Sequence, residues 1–322
     1  MYEFCTYFDR NYLYKGLTMC RSVIKHLPDS RLWILCFDDT TYDIMAKLEL
    51  PNVKLIHYSD FEDDDLLKAK SNRSLVEYYW TCTPALPLYL LNKFPEMECI
   101  TYLDADLFFF DNPSVAFQEF GDASIFLTEH NYSRNPERNI LRNGRFNVQF
   151  LIFRNNVTGR GALEWWQQRC LEWCYIRRED GKLGDQKYLD DWTERFRDVR
   201  VSNNKGIGCA PWNINKYIIT NRNDKLYVDE DILLFYHFQN FIILKPGRYR
   251  LTHEKLPDVA KHLIYSLYID EIEVSMNLVK KINSSFNYVY TNLKKNRVRD
   301  LASSLIIYFR NNNVVRRKLH AT

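Results

Sequence analysis

Four short apolar runs punctuate the first hundred residues, at Tyr2–Phe8, Leu32–Phe37, Val53–Tyr58 and Cys99–Leu103. Helical segments such as Tyr12–His26 and Thr40–Leu48 lie between them. Within WILCF and ITYL almost every position is apolar. A strand wetted on one face alternates in character, whereas one covered on both faces does not. The order therefore predicts an α/β fold, a Rossmann-like, mostly parallel sheet flanked by helices. Ligands of such sheets bind beyond the carboxyl ends of the strands. The places to look are just after Phe8, Phe37 and Leu103.

Further strands are expected at Ala123–Thr128, Val148–Phe153 and Ile232–Phe238, and a helix at Gly161–Arg177. Glu77–Phe94 reads as a helix that Pro84 and Pro87 bend or split. Residues 203–214 read as a loop containing Gly206, Gly208 and Pro211. A chain of 322 residues suits one large α/β domain with a small appendage. The expected division is a domain over 1–250 and a basic helical extension over 251–322.

Several classes are disfavoured. A net charge of +3 is too small for a protein whose main partner is nucleic acid. The 8 cysteines include no CxxC pair, so a zinc ribbon does not fit, and buried thiols in a reducing compartment do. The N-terminus MYEFCTYF has no charged-then-apolar leader, and no apolar run reaches membrane-spanning length. These features suggest a cytoplasmic protein.

The most informative stretch is ECITYLDADLFFFDNP. An apolar strand runs out and immediately presents Asp104 and Asp106. Two acids at the interior end of a buried strand are costly without a cation or donors. Hard divalent ions take oxygen ligands and share them with a diphosphate. The competing reading is a pair of solvated acids in a turn, helped by Asp111-Asn112-Pro113. A phosphatase of the haloacid-dehalogenase type also carries DxD. It usually has Thr or Val where this chain has Phe108.

Four further segments stand in order with this one. Together, CTYFDRNYLYKGLTMCRSV, YLDADLFFFDNP, RFNVQFLIFRN, GDQKYLDDW and FYHFQNFIILKPG resemble glycosyltransferase family 8 and its close relatives, across roughly residues 2–247. The resemblance implies a GT-A fold. It implies Asp104, Asp106 and His237 as ligands of Mn²⁺ or Mg²⁺, with imidazole favouring manganese. It also implies contacts to a nucleotide-sugar donor from Thr6, Phe8, Asp9, Tyr12, Ala105, Asn147 and Lys245, and from Arg73. Asp185 and Gln186 match the segment beside the sugar's reactive face. For His237 the alternative is a core histidine on a strand, and for Asp185 a helix N-cap.

Some positions depart from the family pattern. Gln149 and Asn240 stand where it has glycines. Gly247 replaces a tryptophan, and the spacing from His237 to Lys245 is two residues longer. These changes bear on the acceptor, the sugar and the role of Lys245. Trp212 and Asn213 either border a sugar or belong to a plain structural loop.

The resemblance implies a retaining transfer from a UDP-sugar to a glycan or glycolipid acceptor, in polysaccharide or glycoconjugate synthesis. A glycan-binding protein without activity is the alternative that fold alone leaves open. From Lys280 onward ten Lys or Arg stand against one acid, Asp300. Val298, Leu301 and Leu305 share a helical face ringed by Lys294, Lys295, Arg297 and Arg299. Such a helix either lies on an anionic membrane surface, giving peripheral association, or packs on the domain.

Overall fold

The computed structural model describes residues 1–287 and 313–316. The expected basic helix around Val298–Leu305 lies outside the described residues.

In chain order the first eight strands are β1 (Tyr2–Phe8), β2 (Ser30–Cys36), β3 (Val53–His57), β4 (Cys99–Leu103), β5 (Leu107–Phe109), β6 (Ile125–Glu129), β7 (Phe146–Arg154) and β8 (Val199–Val201). All but β5 form one seven-stranded sheet in the order β3-β2-β1-β4-β7-β6-β8. Only β7 runs antiparallel to its neighbours; the other pairings in the sheet are parallel. The sheet is thus mixed but mostly parallel, as the apolar runs indicate.

Strand periodicity sorts the core into two buried clusters. Phe4, Ile34, Phe150 and Ile152 point to one face, and Cys5, Leu35, Leu151 and Phe153 to the other. The first face is covered by helices Leu13–His26 and Ser266–Ile282. The second is covered by Leu75–Lys93 and Val157–Glu172. Fully burying each large apolar side chain contributes about 1.5–3 kcal/mol.

The remaining strands are small. β9 (Ile219–Arg222), β10 (Lys225–Val228) and β11 (Asp231–Ile232) form an antiparallel meander. β12 (Phe235–His237) pairs antiparallel with β5, and β13 (Ile242–Lys245), β14 (Arg248–Arg250) and β15 (Val314–Arg316) make a third sheet. Helix Ser266–Ile282 joins the same core as the N-terminal helix. Thr18 Oγ1 donates to Ser275 Oγ at 2.7 Å, and Tyr268 stacks on Phe238 with centroids 3.6 Å apart.

Three expectations need correction. Of the bent or split helix expected at Glu77–Phe94, the split does not occur: Leu75–Lys93 is one helix that contains both Pro84 and Pro87. Thr81–Leu88 is entirely buried there, so packing on both sides outweighs two lost ladder hydrogen bonds. A capping box between Ser74 and Glu77 fixes its start. The helix expected at Gly161–Arg177 runs instead from Val157 to Glu172. Asn156 caps it by accepting from the Gly159 N–H, and Trp173 is already extended. Finally, the run Ile232–Phe238 divides into β11 and β12, which serve different sheets.

Trp166 ties the second core cluster to the site. It is fully buried, meets Trp192 edge-on, and donates its indole N–H to the Asp185 carbonyl at 2.9 Å. Trp166→Ala is expected to lower unfolding free energy by about 3–5 kcal/mol, read as a shift of the urea midpoint.

Candidate active site

The parallel strands deliver their carboxyl ends to one edge of the sheet. Asp9 follows β1, Asp38 stands just past β2, Asp104 follows β4 and His130 follows β6. Because β7 is reversed, its amino end lies at the same edge, and Asn147 pairs in register with Thr128. A cleft of about 810 Å³ opens there. That is ample for a nucleotide-sized ligand.

After Leu103 the chain turns. The Asp104 N–H donates to the Gln149 carbonyl at 2.9 Å, and the Leu107 N–H donates back to the Asp104 carbonyl at 3.3 Å. The turn starts β5, whose Leu107 lies across from His237 on β12. Local pairing therefore carries a residue from far along the chain to the two aspartates. Ligand atoms of Asp104, Asp106 and His237 all lie within 4.8 Å of one another. His237 Nε2 is 3.0 Å from Asp106 Oδ1 and 3.8 Å from Asp104 Oδ2.

The other imidazole nitrogen is held by Gln149, whose Oε1 accepts from Nδ1 at 2.8 Å. A proton fixed on Nδ1 leaves the Nε2 lone pair facing the carboxylates. That is how a metal-binding imidazole is usually oriented. Two carboxylates and one imidazole suit Mn²⁺ and, less well, Mg²⁺. The residues present therefore fit a divalent ion.

The electrostatics agree with that fit. Burial pushes the Asp104 carboxyl up to about 6; His237 offsets part of the rise and Asp106 adds to it. For Asp106 burial works in the same direction. It loses to His237 and Lys15, which hold the group at about 2. Burial opposes a charge on His237, yet the two aspartates raise its pKa overall. Burial of the carboxylates and the raised proton affinity of the imidazole both favour a positive charge at this cluster.

Around this cluster the cleft is polar and aromatic. Tyr102 donates its hydroxyl to Asp104 at 3.0 Å, and Tyr7 shares a hydrogen bond with Thr83 at 2.9 Å. Asp9 is buried and fully engaged, accepting from the Asn11 N–H, the Asn11 side chain and the Tyr79 hydroxyl. Gly16 is needed beside this strand end, because a Cβ there would lie 2.4 Å from the Phe8 ring. Asp185 is buried at the cleft wall, and among the described residues its Oδ2 has no hydrogen-bond partner. Burial pushes its pKa up to about 7, with the Thr83 hydroxyl counteracting in part.

Phe8, Asp9, Tyr12, Asp104, Ala105, Asp106, Asn147, Asp185, Gln186 and His237 all line the cleft, as does Trp212. Thr6, Arg73 and Lys245 do not. Thr6 is buried within β1, and Lys245 is exposed at the end of β13. Arg73 instead donates to the Thr81 hydroxyl and, at 2.6 Å, to the Leu171 carbonyl. Its guanidinium joins two helices on the outer layer. Asp185 is not a helix cap: only a short 3₁₀ turn follows it, and its side chain makes no capping bond. Asn213 does not line the cleft. It bonds the carbonyls of His130 and Gly208 and so holds the Trp212 loop.

Sequence reasoning missed Lys15, Gln149 and His130. Lys15 Nζ lies 3.8 Å from Asp106 Oδ2 and 4.3 Å above the Tyr12 ring. The only signal was a lysine set inside an otherwise buried helical turn, Leu13–Leu17.

Comparison with known proteins identifies relatives of nearly full length. The chain is 32% identical to the uncharacterized protein YfnD of Bacillus subtilis (strain 168) over 289 residues, 88% of this chain and 92% of YfnD. The chain belongs to the YfnD family. A second member, the uncharacterized protein YfnF of the same organism, is 30% identical over 291 residues, 88% of this chain and 96% of YfnF. No protein-family model matches. Among solved structures, the galactosyltransferase LgtC in complex with donor and acceptor sugar analogs superposes with a TM-score of 0.55. The match is 14% identical and covers 84% of this chain and 95% of LgtC. An active-site glutamine-to-glutamate mutant of LgtC matches at 0.50, covering 74% and 87%. The YfnD-family chain thus has the GT-A fold.

Two outcomes follow from the geometry. Gln149→Leu frees the His237 ring, and Mn²⁺ affinity is expected to fall roughly 10–100-fold in a calorimetric titration. For Asp185 the folded pKa lies above the unfolded one. The stability it contributes is complete below about pH 4 and is lost as pH rises through 7. Asp185→Asn removes that loss. Its urea midpoint should match the parent near pH 4 and exceed it increasingly up to pH 7, by roughly 1–4 kcal/mol.

Proposed function

We propose that the protein is a metal-dependent glycosyltransferase. It takes a sugar from a nucleotide diphosphate donor, a UDP-sugar, and passes it to a hydroxyl of a glycan or glycolipid, in the synthesis of surface polysaccharide or glycoconjugate. The observation that carries this reading is the buried Asp104–Asp106–His237 cluster at the carboxyl edge of a GT-A sheet, beside a cleft of about 810 Å³. The likeness in fold to LgtC, whose structure holds donor and acceptor sugar analogs, supports it.

In this reading Asp104, Asp106 and His237 hold Mn²⁺ or Mg²⁺. When bound, the ion supplies Lewis-acid stabilisation of the charge that grows on the leaving diphosphate. Asp9, Tyr12, Ala105 and Asn147 cradle the donor, and Lys15 adds positive charge behind Asp106. Asp185 and Gln186 face the sugar. The free Oδ2 of Asp185 accepts a hydroxyl hydrogen bond or faces the positive charge that builds at the ring. Trp212 and the aromatic walls keep water from the reacting centre. Transfer proceeds with retention, as in the family the sequence resembles.

The test is release of UDP from a panel of UDP-sugars by the full chain with and without Mn²⁺. At least one sugar should be hydrolysed only with the metal. Asp104→Ala and Asp106→Ala should each lower that rate 100-fold or more, about 2.7 kcal/mol of barrier. Turnover that survives both substitutions would sink the reading.

A further inference from the structure

Two runs of contacts line the cleft beside the Asp104–Asp106–His237 cluster; one stops at Tyr132, two residues before Arg134, and the other ends on Arg178. The first run is a row of rings. Trp212 lies 5.3 Å from His237 and 5.4 Å from His130, whose ring stacks on Tyr132 at 4.7 Å and 9°. Arg134 stands two residues further on. Its loop is pinned: the Ser133 N–H and Oγ both donate to the Trp212 carbonyl, at 2.9 and 2.8 Å. The Asn139 side chain donates to the Arg134 carbonyl at 2.7 Å. Asn131 and Asn135 hold left-handed backbone at φ 50° and 44°. Such backbone carries a cost, and it clusters where a loop must present its side chains in one way.

The second run starts at Asp185. Its neighbour Gln186 donates to the Asn143 carbonyl at 2.8 Å. Asn143 Oδ1 in turn accepts from Arg178 at 2.8 Å, and the Arg178 Nε donates to the Arg142 carbonyl at 3.1 Å. This guanidinium is therefore fixed by neutral groups alone.

Arg134 and Arg178 both line the cleft. Two nearby arginines that do not line it are neutralised, Arg145 by Glu129 at 2.7 Å and Arg177 by Glu179 at 2.6 Å. Among the described residues neither cleft arginine has such a pair. The acids of the cleft, Asp9, Asp104, Asp106, Asp185 and Glu254, all leave them free. Burial holds the His130 pKa down at about 3, so the ring between the two regions is uncharged. In the glycosyltransferase reading, a divalent ion held by Asp104, Asp106 and His237 would supply the counter-charge for the donor's diphosphate. The two guanidinium groups remain for something else, and their planar forks match a carboxylate or a phosphate.

We propose that the acceptor is an acidic glycan, whose carboxylate or phosphate is recognised by Arg134 and Arg178. The proposal rests on the glycosyltransferase reading and names its acceptor class.

The experiment is equilibrium binding of matched 4-nitrophenyl β-glycosides to the full chain holding Mn²⁺ and UDP. The three probes are the neutral glucoside, the glucuronide and the glucoside 6-phosphate, followed by saturation-transfer NMR. One anionic glycoside is expected to bind at least about tenfold tighter than the neutral one, about 1.4 kcal/mol. Which of the two does so separates carboxylate from phosphate. Arg134→Gln and Arg178→Gln should each shrink the gap, and Arg178→Lys should restore only part of it, because lysine lacks the fork. Thermal melts check that the variants remain folded. Equal affinity for all three glycosides, including no binding of any, overturns the proposal, as does a gap that survives both glutamine substitutions. A chain that binds no UDP in the presence of Mn²⁺ sinks the glycosyltransferase reading itself, which is a separate result.

Discussion

Two carboxylates and an imidazole share a largely buried space at the wall of the cleft. Everything else near the cleft follows from keeping that arrangement solvable. A buried carboxylate needs a counter-charge or donors, since desolvation otherwise neutralises it. The protein supplies different answers to each acid. Asp106 receives His237 and Lys15 and stays ionised, while Asp104 receives only a tyrosine hydroxyl and a share of the imidazole. The pair is therefore split in proton affinity before any ligand arrives. A divalent cation held between them would offset both charges at once.

The sheet makes this geometry possible. Parallel strands bring Asp9, Asp104 and His130 to one edge, and reversing a single strand adds Asn147 there. The reversed strand also carries Gln149 two residues further in, where its amide reaches His237. One change of strand direction thus contributes both a wall of the cleft and the group that orients the imidazole.

How much of this was legible in the sequence depended on range. The strand ending at Leu103 was readable because its apolar run stops at a residue that cannot be buried alone. His237 was readable only through a family likeness, since nothing local in LLFYHF says which partner its strand will find. Gln149 stood out merely as a departure from a glycine, and its function appears only once β7 and β12 are side by side. Lys15 was hidden because a single lysine in a helix normally points to solvent. That Pro84 and Pro87 leave their helix unsplit was not legible, because the packing that surrounds them is not a local property of the sequence. Arg73 and Lys245 illustrate the same limit in reverse: a charged residue near a motif in sequence need not point into the cleft it borders.

The order in which the parts arise along the chain has its own consequence. The aspartates lie in the first third, the imidazole comes near residue 237, and helix Ser266–Ile282 seals against the helix that carries Lys15. A nascent chain released from the ribosome only as far as β8 owns the acidic half of the centre but neither its base nor its cover. The three-residue cluster is thus complete only when translation is nearly over. A chain stopped there would hold its two acids against Lys15 and the Tyr102 hydroxyl alone, without the imidazole that ties them together.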